Sequence, residues 1–67
     1  MIVNFSKLKM AERFVLHKDV LVAAREGTSL DLHIKCGDTE ALHFQNCGRV
    51  HVVPHERVVL INDAVMP

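Results

Sequence analysis

Two histidines and two cysteines stand close together in the middle of this 67-residue chain, as His33-x2-Cys36-x6-His43-x3-Cys47. Two imidazoles and two thiolates make a known tetrahedral zinc set, because zinc takes soft and borderline donors at short spacings. The spacing works against that use in one respect. Residues three apart on an extended strand face opposite ways, so His33 and Cys36 diverge unless the chain curls at Gly37. The pattern also lacks the paired CxxC element of the stronger zinc motifs. The competing expectation is a cross-strand histidine pair with two small thiols that behave as hydrophobes. A reduced ligand set would use His33 and His43 alone, joined by His51 or His55. Opposed imidazoles on neighbouring strands lie about 5 Å apart at Cβ, near enough to share an ion. A metal-binding module is therefore one alternative function.

Other chemistry finds less support. Gly27, Gly37 and Gly48 are isolated and read as turns, so no glycine-rich phosphate loop is present. A Cys–His nucleophile needs a pocket and a third, orienting group, and a chain this short offers little cavity. The expectation is a protein that is not an enzyme and carries no cofactor. Lys7, Lys9, Arg13 and Lys18 stand against Glu12 alone in residues 1–18, and the remainder of the chain is acidic by the same margin. Those four cations could follow a phosphate backbone, which makes a nucleic-acid-binding small β-barrel a second alternative. Formal charge is zero and the only aromatics are Phe5, Phe14 and Phe44, whereas nucleic-acid binders normally show a basic stripe and exposed aromatics. Five histidines permit a response to mild acidification.

The elements that must position these residues follow from the rhythm of the chain. Short apolar runs are cut by turn signals such as Glu26-Gly27-Thr28-Ser29, Gly37-Asp38 and Asn46-Cys47-Gly48. That spacing predicts an all-β domain, a small antiparallel sheet or partly open barrel of about five to seven short strands. The clearest unit is a hairpin from Leu30 to Phe44, in which Leu30, Leu32 and Ile34 alternate with Asp31, His33 and Lys35. A two-residue loop would put Leu42 and Phe44 on the polar face. A three-residue loop, Gly37-Asp38-Thr39, pairs Ile34 with Leu42 and Leu32 with Phe44 and sets His33 opposite His43 on an outer, wet face. Met10 to Glu26, closed by Gly27, is ambiguous. Its apolar residues scatter when placed at helical steps, so strands are favoured, and the alternative is an α+β fold with a helix within residues 10–26.

The run Val58-Val59-Leu60-Ile61 asks for cover on both faces. The apolar fraction is 49%, with Trp and Tyr absent, so Val, Leu, Ile and Ala must supply the core. The expected core or interface residues are Val20, Val22, Leu30, Leu32, Ile34, Leu42, Phe44, Val50, Val52, Val59 and Ile61. A single domain this small buries only about 60% of its unfolded surface, so a second copy is the simplest source of further cover. The expected function is accordingly a small homo-oligomeric binding, structural or adaptor module that presents a surface formed between subunits. No signal-peptide pattern opens the sequence, and no apolar run approaches the roughly 18 residues of a membrane span. Two cysteines without an export signal point to a cytoplasmic protein with free thiols.

Overall fold

The computed structural model describes residues 2–61. Among these residues six antiparallel strands form one sheet: β1 (Ile2–Asn4), β2 (Arg13–Leu16), β3 (His33–Lys35), β4 (Glu40–His43), β5 (Arg49–His51) and β6 (Arg57–Leu60). Their order across the sheet is β1-β6-β2-β3-β4-β5. The late strand β6 therefore sits between the two earliest ones. A single-turn 3-10 helix (Phe5–Lys7) follows β1, and one α-helix, α1 (His17–Glu26), separates β2 from β3. Among the described residues no helix is long and apolar enough to cross a membrane.

The segment between residues 10 and 26 holds both a strand and a helix. Phe14, Val15 and Leu16 belong to β2, whereas Val20 and Val22 belong to α1. Placing all of them on one helical wheel mixes two periodicities, which is why the wheel shows no stripe. Helix α1 ends where Gly27 takes the left-handed conformation at φ 70° and its N–H donates to Ala23 O at 2.7 Å. Glycine adopts that conformation without a Cβ penalty.

The hairpin register agrees with the three-residue loop. His33 pairs with His43, Ile34 with Leu42 and Lys35 with Ala41, and Phe44 N–H donates to Leu32 O at 2.8 Å. Its orientation is the reverse of the expected one. His33, Lys35 and Ala41 are buried, while Leu30 and Phe44 remain 43% and 51% exposed. The core consists of Phe5, Leu8, Phe14, Ala41, Val52 and Val58, with Val3, Leu16, Val50 and Leu60 packed against it. Of the apolar residues expected in the core or at an interface, Val52 is buried in this core and Val50 borders it. Leu32, Ile34, Leu42, Val59, Ile61 and Val20 fall short of full burial, and Val22 is exposed.

The physical reason lies outside the hairpin. Phe14 pairs with His33 across β2 and β3, and its ring packs edge-on against Phe5 at 5.3 Å. These two rings anchor the interior, and every inward position of β3 and β4 follows their side of the sheet by parity. The run Val58 to Leu60 then alternates, with Val58 and Leu60 turned to the core and Val59 to the other face.

Candidate functional site

The inward row of the sheet carries an unusual polar group. Phe14, His33 and His43 lie side by side on β2, β3 and β4. The His33 ring stacks on Phe14 at 5.4 Å and 21°, and it meets the His43 ring edge-on at 5.1 Å and 76°. His43 Nε2 lies 3.5 Å from Asp31 Oδ2. Among the described residues the Nδ1 atoms of His33 and His43 are both buried without a hydrogen-bond partner. An unpaired buried acceptor or donor costs about 1–3 kcal/mol, so this pair is held in place by the packing around it.

Burial pushes the His33 pKa below its ordinary value, and the neighbouring charge of His43 pushes it the same way. A hydrogen bond with the Asp31 backbone and the charges of Asp31 and Asp19 oppose that shift without cancelling it. Uncharged imidazole is the form such a site favours at neutral pH.

Two places along the same face, Lys35 is also buried. Its Nζ donates to Phe5 O at 3.0 Å and to Leu8 O at 2.8 Å, and it sits 4.6 Å from the centre of the Phe5 ring. One ammonium thereby satisfies two carbonyls at the 3-10 helix and adds a cation–π contact. This role was not legible in the sequence, where Lys35 reads as a wet-face residue. No local signal marks a lysine that reaches carbonyls 27 and 30 residues away.

The structure brings together two of the four zinc-set residues. His33 and His43 adjoin, while Cys36 and Cys47 are exposed free thiols. Cys36 begins the turn into β4, its N–H donating to Glu40 O, and Cys47 lies past the far end of β4, its N–H donating to His43 O. The thiols thus stand at opposite ends of the hairpin. Among the described residues no group of three or more His, Cys, Asp or Glu side chains is disposed to hold a metal ion. His51 and His55 are exposed.

The four basic residues are dispersed over three elements. Lys7 closes the 3-10 helix, Lys9 follows it, Arg13 opens β2 beside Ile34, and Lys18 lies in the first turn of α1. Lys7 instead shares a groove with Arg57, a residue not evident from the sequence. Both line an open groove of about 420 Å³ along β1, with Ile2, Val3 and Asn4. A smaller depression of about 180 Å³ lies between α1 and the following loop, lined by Asp19, Val22, Thr28, Ser29 and Asp31.

Compared with protein-family models, with curated proteins and with solved structures, the chain finds no match in any of the three.

Proposed function

We propose that this chain is a small self-associating binding module, two copies of which pack through the outer face of the β3–β4 hairpin. The observation that carries the proposal is the inverted hairpin. Its four large residues Leu32, Ile34, Leu42 and Phe44 lie on the side opposite the core, with Leu30 exposed just before them, whereas His33, Lys35 and Ala41 occupy the inside. A contiguous apolar strip on so small a chain marks a contact surface.

The surroundings of the strip suit an interface between copies. Arg13 pairs with Ile34 and Arg49 with Leu42 across the sheet, so arginines flank the apolar centre on both sides. Interfaces favour apolar centres, enrich arginine and keep other charges to the rim. A strip of one composition packs against itself about a two-fold axis, as most homodimers do. A standard interface buries about 800 Å² per partner, roughly one-sixth of the 4770 Å² that this chain exposes. The paired module would then present a composite surface to other proteins, in the manner of an adaptor.

The test is mass in solution by light scattering and sedimentation velocity. Wild-type protein is expected as a dimer or larger, and Leu42→Asp as a folded monomer with unchanged far-ultraviolet dichroism. A wild-type monomer at the highest soluble concentration removes the proposal, and so does a Leu42→Asp variant that remains dimeric.

A further inference from the structure

We propose that the free edge of β1 docks an extended acidic peptide strand from a partner protein. Among the described residues β1 is the last strand of the sheet and pairs with β6 alone. Phe5 N–H donates to Glu56 O, which sets the alternation of the ladder: Val3 faces β6, and the N–H and C=O groups of Ile2 and Asn4 face outward. An outward row of backbone donors and acceptors is a template for a further strand.

Side chains at this edge define the chemistry of that strand. Ile2, 51% exposed, supplies an apolar seat. Lys7 and Arg57 line the same groove, both are exposed, and among the described residues neither has an ion-pair partner. Arg57 pairs directly with Asn4. A carboxylate on an added strand opposite Asn4 would therefore meet the guanidinium on one side and the Lys7 ammonium on the other. Ile2 and Asn4 share one face of β1 and Val3 lies on the other, so the alternate, apolar position covers Val3, and the methylenes of a second glutamate opposite Ile2 lie against its side chain.

The same charges select against other occupants. Two copies of this edge set against each other would bring Lys7 and Arg57 toward their own counterparts, and like charges across an interface suppress wrong partners. The site is separate from the outer face of β3–β4 and does not depend on self-association.

The probe is a short acetylated and amidated peptide that alternates valine and glutamate, titrated into the full ¹⁵N-labelled chain. The expected result is saturable amide shifts at Ile2, Val3, Asn4, Lys7 and Arg57, with binding weakened about tenfold by Lys7→Glu or by Arg57→Glu. The valine–lysine counterpart is expected to leave those amides unmoved. The Leu42→Asp variant is expected to bind as the wild type does, which separates this site from the proposed dimer face. Absence of shifts along β1 overturns the proposal, as does equal binding of the lysine peptide. A single-stranded oligothymidylate that displaces the peptide and binds more tightly at the same amides also overturns it, assigning the groove to phosphate instead.

Discussion

His33 and His43 face one another across β3 and β4 inside the sheet, with ring centres 5.1 Å apart. Their pairing places two titratable rings where an aliphatic pair would ordinarily fill the interior. The arrangement links the stability of the fold to proton concentration.

The sign follows from His33. Its folded-state pKa lies below the ordinary 6.5, so on acidification the unfolded chain takes up the proton first. Wherever the unfolded state binds more protons, stability rises with pH. The contribution of His33 is complete above about pH 6.5 and declines as the pH falls from there toward the depressed folded value. The groups that face it are His43, Asp31, Asp19 and the Phe14 ring. Thermal melting is expected to be level between neutral and mildly alkaline pH and to fall through the slightly acid range. His33→Phe, which keeps a ring on Phe14, is expected to flatten that fall. An unchanged slope in the variant would place the titration elsewhere.

Lys35→Met is expected to destabilise the chain by about 1–3 kcal/mol in urea titration, because it takes the ammonium donor from Leu8 O, while Phe5 O keeps the Leu8 N–H. The loss should be local as well as global. Amide hydrogen exchange at residues 5–8 is expected to accelerate more than exchange in β4. Equal protection at both places would show that Lys35 does not anchor the N-terminal arm.

Phe14 and Phe44 provide a contrast between the two faces. Phe14 is fully buried against Phe5 and His33, and Phe14→Ala is expected to cost about 3–5 kcal/mol, enough to unfold a chain of this size. Phe44 is half exposed on the outer face. In the Leu42→Asp background, Phe44→Ser is expected to change stability by less than about 0.5 kcal/mol. A large cost there would mean that the outer face is packed within the single chain.

Two backbone positions predict opposite signs. Gly27 has φ +70° and open space where a Cβ would lie, so Gly27→Ala is expected to cost about 1 kcal/mol through conformation alone. Ala11 has φ 71°, a conformation that costs an alanine about 1–2 kcal/mol. Ala11→Gly is expected to stabilise by about 0.5 kcal/mol, the relief exceeding the added freedom of the unfolded chain. Thermal denaturation of both variants checks the pair, and equal signs would contradict it.

The register of the central hairpin was legible in the sequence. Ile34, Leu42, His33 and His43 could be matched because side chains alternate strictly along strands, and only an odd loop at Gly37-Asp38-Thr39 brings like residues opposite one another. The break at Gly27 was legible as a turn, and as a helix stop only in the alternative reading, where a left-handed glycine closes the helix. The boundary inside residues 10–26 was hidden because a strand and a helix abut at Leu16 and His17 without a turn between them.

What the tertiary structure alone decided is which side of that hairpin faces inward. Alternation defines two faces but gives neither a direction. The direction comes from Phe5 and Phe14, which arrive from other parts of the chain, and from carbonyls of Phe5 and Leu8 that only a folded chain brings within reach of Lys35. Those contacts turn His33 and His43 into the core and leave Ile34 and Leu42 outside it. Local sequence thus set the pairing, and long-range packing set its orientation.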